Sequence, residues 1–191
     1  MISGILLAAG AGTRFGGDKL LAPLRDGTLM GVKAARNLLS AVDHGIAVVR
    51  PSDRQLAGLL EKEGFQVAYC PNAGAGMGTS LAFGVTAARD ADGWLIALAD
   101  MPFIQPETIR GIAGLISAGA PIAAPRHQSR RGHPVGFARE FFHDLAQLSG
   151  DRGAHPLLAA HAARIEAFEC ADPGIFTDID TLSDHAFAYH V

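Results

Sequence analysis

Scarcities in this chain narrow the field first. Its 191 residues hold only two cysteines, Cys70 and Cys170, too few for a disulfide scaffold or a cysteine-built zinc site. Both read as free thiols. A formal net charge of −3 gives no overall attraction to nucleic acid or to an anionic membrane, and leaves only local basic loops to meet a small anion. No apolar run approaches the ~18 residues of a membrane span. No basic region precedes the N-terminal apolar run, which Ala8-Ala9-Gly10 ends too soon for a signal peptide, so a cytoplasmic location is expected. The histidines lack paired metal-ligand spacing. There is no Ser-His-Asp or Cys-His constellation, no internal repeat and no linker, so one domain over residues 1–191 is expected.

Present instead is a regular alternation of short apolar runs and helix-like segments. With 49% hydrophobic and 18% charged residues, the composition is that of a globular chain. Strands are expected at Ile2–Ala8, His44–Val49, Phe65–Tyr69, Trp94–Ala99, Pro121–Ala124, Pro134–Phe137 and Arg164–Phe168. Helices are expected at Thr28–Ala41 with Thr28 as its cap, after Pro51-Ser52, at Thr79–Arg89, Pro106–Ala118, Ala138–Leu148 and Ala154–Ala162, with a last turn or two near the C-terminus. Arg126–Gly132, polar and basic, reads as a mobile loop. Strand–helix alternation implies an α/β fold: a mostly parallel sheet with helices on both faces, and a ligand site beyond the carboxyl ends of the strands.

The first such end is rich in glycine: Leu7-Ala8-Ala9-Gly10-Ala11-Gly12-Thr13-Arg14-Phe15-Gly16-Gly17-Asp18-Lys19. A buried strand feeding such a loop brings backbone N–H groups against phosphate. Gly12 and Gly17 have the P-loop interval, yet Asp18, Lys19 and Leu20 follow in place of Lys and Ser/Thr. Gly10, Gly12 and Gly16 contain one residue too many for the dinucleotide fingerprint, and Arg50 stands where an acidic ribose ligand belongs. A plain glycine turn with solvated Arg14 and Lys19 stays open on this stretch alone.

Joined to four later stretches, the loop resembles the signature of the molybdenum-cofactor nucleotidyltransferases, the cytidylyl- and guanylyltransferases that act on molybdopterin. The later stretches are Asn72-x-x-x-Gly76-Met77-Gly78-Thr79-Ser80-Leu81, Leu98-Ala99-Asp100-Met101-Pro102, Gly132-His133-Pro134-Val135-x-Phe137 and Asp178-Ile179-Asp180-Thr181. The resemblance implies a three-layer α/β/α Rossmann-like fold with a mixed, mostly parallel sheet. It also implies transfer of a nucleoside monophosphate from an NTP to a phosphorylated small-molecule acceptor, with pyrophosphate released. A phosphate monoester is largely ionised at neutral pH, so the chemistry asks for positioning and charge neutralisation, not for a protein nucleophile.

In that scheme N–H groups around Ala8, Ala9, Gly10, Gly12 and Thr13 hold the triphosphate. Arg14 offsets charge on the departing pyrophosphate, Lys19 meets the phosphates at the reacting centre, and Asp100 holds Mg²⁺. Asp180, or Asp178, is either a second metal carboxylate or a helix N-cap. Asn72, Gly78, Thr79 and Ser80 face base and ribose, although Thr79 and Ser80 could equally cap the following helix. Arg131 and His133 face the acceptor, against the alternative of a solvated basic loop with Arg126 and Arg130. Within the resembled family Ala9 points to CTP and Gly16-Gly17-Asp18-Lys19 to the guanylyl branch; CTP is favoured. A molybdoenzyme partner is implied as well; the competing readings are a guanylyl- or other NTP transferase on a sugar-phosphate-type acceptor and a non-catalytic nucleotide-binding partner of a molybdoenzyme. Neither nucleic acid nor membrane is expected as a partner.

Overall fold

In the computed structural model, residues 1–10, 12, 15 and 17–187 are described. The apolar runs form the centre of an eight-stranded mixed sheet. Its strands are β1 (Ile2–Leu7), β2 (His44–Val49), β3 (Gln66–Tyr69), β4 (Gly93–Leu98), β5 (Ile122–His127), β6 (Arg130–Arg131), β7 (Val135–Ala138) and β8 (Ile165–Glu169). The order is β3-β2-β1-β4-β7-β5-β6, with β8 on β5. Pairings β1–β2, β1–β4, β2–β3 and β5–β8 are parallel, whereas β7 runs antiparallel to β4 and β5.

Continuous burial of β1 and β2 explains their unalternating apolar sequences: both faces of the sheet are covered. Leu6 and Leu95 enter one core with Leu38, Leu60 and Ile112, from helices α1 (Met30–Leu39), α2 (Arg54–Lys62) and α4 (Pro106–Ser117). Ile5, Ile46 and Trp94 enter the other with Leu81, Leu145 and Leu158, from α3 (Met77–Ala87), α5 (Phe142–Ala146) and α6 (His155–Ala160). The result is the three-layer α/β/α arrangement expected. Register places Leu7 beside Val48 and Leu98, so the ends of β1, β2 and β4 lie side by side and their following loops share one edge. No helix among the described residues is long and apolar enough to cross a membrane.

Three local expectations change. The segment expected to be a mobile loop is a hairpin: Arg126 pairs with Arg131 and His127 with Arg130, around Gln128 and Ser129 at positive φ. Thr28 does not cap α1; Leu29 precedes the helix without a side-chain cap. Helix α3 starts at Met77, after Gly76 at φ +115°, so Thr79 and Ser80 lie inside its first turn and do not cap it. A last helix, α7 (Leu182–Phe187), closes the described chain.

Candidate active site

The loops after β1, β2 and β4 open into a cleft of about 580 Å³. Ala8, Ala9, Gly10 and Gly12 line its floor, Ser80 and Met77 one side, and Lys19 and Asp100 one end. Gly10 needs neither positive φ nor packing room, because a Cβ there would meet nothing within 4 Å. Its bare backbone therefore faces open cleft, the condition for a ligand to approach main-chain N–H groups.

Lys19 organises one end of the cleft. Its Nζ donates to Asp100 Oδ2 at 2.8 Å and to Asp180 Oδ1 at 2.9 Å, with the lysine side chain 11% exposed. Burial opposes the charged ammonium, but the hydrogen bonds and charges of both carboxylates outweigh it, leaving the lysine pKa above its ordinary value. Asp100 sits just past β4, where Asn37 of α1 fixes the turn by donating to the Pro102 and Ile104 carbonyls at 2.9 and 3.0 Å. Asp180 arrives from the far end of the chain. Ile179 N–H donates to the Asp100 carbonyl at 3.0 Å, and Ile179 packs with Phe15, Leu24 and Met30. His185 adds an edge-on contact to the Phe15 ring and reaches the Pro23 carbonyl.

Asp180 is not the helix cap that competed with the metal reading. Thr181 Oγ1 accepts from Asp184 N–H, and Asp184 Oδ2 accepts from Thr181 N–H, a capping box that leaves Asp180 Oδ1 turned to Lys19. The donor set also suits a hard cation. Asp100 Oδ1 is buried and has no hydrogen-bond partner among the described residues. Among the described residues no group of three or more His, Cys, Asp or Glu forms a cage. Mg²⁺ is commonly held in this way, by one or two carboxylates with phosphate oxygens and water.

The other expected residues divide. Thr13 and Arg14 lie outside the described residues. Asn72 and Thr79 are not among those lining the cleft. Gly78 spends its N–H on the Gly150 carbonyl at 2.7 Å, and a Cβ there would press on Ser149, so it serves helix packing. His133 lines a smaller neighbouring cavity; Arg131 is exposed and lines neither. Arg126 is paired with Glu169 and Arg130 lies over Phe176, and neither lines the cleft or its neighbouring cavity.

Two wall segments escaped the sequence reading. The turn after β2 brings Arg50, Ser52 and Gln55 to the cleft, and Asp151 closes it opposite. The signal for the second was the Gly150-Asp151-Arg152-Gly153 run, charged residues between two turn-forming glycines.

Burial pushes the His133 pKa below 6.5; Asp100 and Asp178 oppose this and Arg131 adds to it. The fold thus resists a proton that the unfolded chain accepts. Stability is whole above the unfolded value and falls as pH drops through the lowered folded one. Urea unfolding followed between about pH 8 and 5 should show a smaller acid loss in His133→Asn than in the wild type; equal losses would assign the acid sensitivity elsewhere.

With this geometry in place, the relatives carry weight. The family description of the MobA-like NTP transferase domain matches residues 4–165. The chain belongs to that family. It is similar to nicotine blue oxidoreductase of Paenarthrobacter nicotinovorans, 31% identical over 95% of this chain and 93% of that protein. The purine catabolism protein PucB of Bacillus subtilis (strain 168) is 30% identical over the same shares. Among solved structures, the manganese complex of Rv0371c from Mycobacterium tuberculosis H37Rv has a TM-score of 0.80 at 28% identity, covering 99% of this chain and 98% of that one. The family match and the structural likeness agree on a nucleotidyltransferase of Rossmann-like fold. The carboxylate that meets Lys19 from Asp180 lies beyond the matched stretch.

Proposed function

We propose that the chain acts as one Mg²⁺-dependent nucleotidyltransferase domain that moves CMP from CTP to the phosphate of molybdopterin or a closely related acceptor, releasing pyrophosphate. The carrying observation is the convergence of Lys19, Asp100 and Asp180 at the end of a cleft whose floor is bare backbone. Asp100 and Asp180 would hold the Mg²⁺, which bound there would neutralise phosphate charge. Without a protein cage of three ligands, the ion is best completed by oxygens of the triphosphate itself.

Lys19 keeps its positive charge at the reacting end and can turn from carboxylate to phosphate as charge develops there. Main-chain N–H groups from Ala8 to Gly12 would cradle the triphosphate. Arg14, if it follows the family pattern, would meet the departing pyrophosphate. Ala9, buried and lining the cleft, supports the cytidylyl reading, since a methyl beside the nucleotide would disfavour a larger purine. The loop's departure from the dinucleotide spacing keeps an oxidoreductase-named relative from redirecting this reading. A molybdoenzyme would receive the product, and no nucleic acid or membrane enters the scheme.

A thermal-shift panel of CTP, GTP, ATP and UTP with Mg²⁺, followed by pyrophosphate release with molybdopterin, tests it. CTP should give the largest shift and the fastest release. A larger shift with GTP would reverse the base assignment, and release without molybdopterin dependence would reject the acceptor.

A further inference from the structure

Beside the cleft lies a second cavity of about 140 Å³, reached past Leu7, Met77 and Leu98, which line both. Its walls are apolar: Leu81, Ile96, Val135, Phe137 and Leu158. Its polar groups are His133, Arg152 and His155. At that size it holds a portion of a ligand; whole small-molecule sites run to roughly 300–1,000 Å³.

The two cavities are divided by the 150–155 segment. Gly150 (φ +70°) and Gly153 (φ +51°) shape it, and the Gly150 carbonyl is fastened to α3 through Gly78. Asp151 consequently borders the nucleotide-sized cleft while its neighbour Arg152 borders the side cavity. Among the described residues Arg152 has no carboxylate, carbonyl or ring partner. Several other arginines are engaged, Arg126 with Glu169, Arg164 with Glu140, and Arg139 with the Arg89 and Ala91 carbonyls; of the described arginines without such a partner, Arg152 is the one that lines a cavity. His133 Nδ1, on the same cavity, is buried without a partner. An exposed arginine and a ring nitrogen unsatisfied among the described residues thus line one apolar pocket that adjoins the nucleotide-sized cleft.

We propose that Arg152 binds the acceptor's phosphate monoester, with the side cavity taking the apolar or ring portion next to that phosphate. This rests on the nucleotidyltransferase reading above. In the step it serves, an acceptor phosphate oxygen bonds to the α-phosphorus of the NTP while the bond from that phosphorus to pyrophosphate breaks. No electrons change hands, and pyrophosphate carries away the bonding pair. Two anions must approach each other, and a bidentate arginine holds one of them at a fixed angle. Arg131, on its hairpin, is exposed as Arg152 is, but has no such cavity beside it.

Calorimetric titration of phenyl phosphate tests the assignment. The cleft is first filled with the α,β-methylene analogue of whichever NTP stabilises the protein most. Wild type should bind saturably and prefer phenyl phosphate to glycerol 3-phosphate. Arg152→Ala should weaken binding at least about tenfold, Arg152→Lys less, since it keeps charge but loses the fork, and Arg131→Ala should match wild type. The proposal is overturned by wild-type affinity in Arg152→Ala, by loss in Arg131→Ala instead, by equal binding of glycerol 3-phosphate, or by a wild type that binds no phenyl phosphate. Thermal shifts with NTP and Mg²⁺, run on the same variants, should be unchanged. An absence of any NTP shift in wild type would instead reject the nucleotidyltransferase reading.

Discussion

Asp100→Asn should lower the rate of NTP-dependent pyrophosphate release by about 10²–10³-fold, the scale set by removing one charge-stabilising group from a reacting centre. The substitution preserves shape and takes away charge. It leaves Lys19 with one carboxylate in place of two and removes the anionic character of Oδ1, the buried oxygen without a partner. Both consequences act on the bound phosphates, so the loss should fall mainly on turnover at saturating nucleotide, and the metal concentration for half-maximal rate should rise. The fold should hardly notice, because this carboxylate keeps about a quarter of its surface in solvent (24%) and is not part of the apolar core. A variant that turns over like wild type, at the same metal requirement, would take the metal role away from Asp100.

The largest loss of stability is expected at a different aspartate. Asp172 is 2% exposed and accepts three hydrogen bonds: from Thr108 Oγ1 at 2.7 Å, from Gln105 N–H at 2.9 Å and from Gly174 N–H at 2.9 Å. It thereby fastens the start of α4 to the Pro173–Phe176 turn, where Gly174 sits so close to Phe103 that a Cβ would collide with its carbonyl. That turn in turn accepts the His133 N–H at the Ile175 carbonyl. Asp172→Ala leaves three donors without their acceptor, at a cost of roughly 3 kcal/mol or more. For a chain of this size that is a fall in melting temperature of roughly 6–12 °C. Asp172→Asn, which retains one acceptor oxygen, should fall between. A melting temperature within about 2 °C of wild type in Asp172→Ala, less than 1 kcal/mol on this scale, would show that the turn is held by packing alone.

The central sheet was legible in the sequence because its strands are buried on both faces, which turns them into uninterrupted apolar runs such as Ile5-Leu6-Leu7 and Leu95-Ile96-Ala97-Leu98. Asp100, at the end of one such run, stood out only with Met101-Pro102 behind it, since an acid after a strand is by itself as readily a turn or helix cap. The 126–131 hairpin was not. Its turn places Gln128 and Ser129 at positive φ, positions that Asn and Gly ordinarily announce, and its strand residues are too charged to alternate. Arg152 stayed hidden as well: the Gly150-Asp151-Arg152-Gly153 run announces only a turn, and the cavity beside it is built by tertiary packing. Asn37 could have been noticed as an amide set among the apolar residues of α1, but its role in steadying the Asp100 turn depends on a partner 65 residues away. Pair contacts of that range are what a linear reading has no means to supply.

The bond between Lys19 and Asp180 spans 161 residues. Chain synthesis runs from the N-terminus, so the glycine loop is made well before the 179–185 segment that completes its surroundings. Until Asp180 is made, Lys19 lacks one of its two carboxylates and Phe15 lacks the cover of Ile179 and His185. Loop closure over such a distance is also a slow, entropically costly event. The surroundings of Lys19 and Phe15 are therefore complete only once the segment carrying Ile179, Asp180 and His185 has been made.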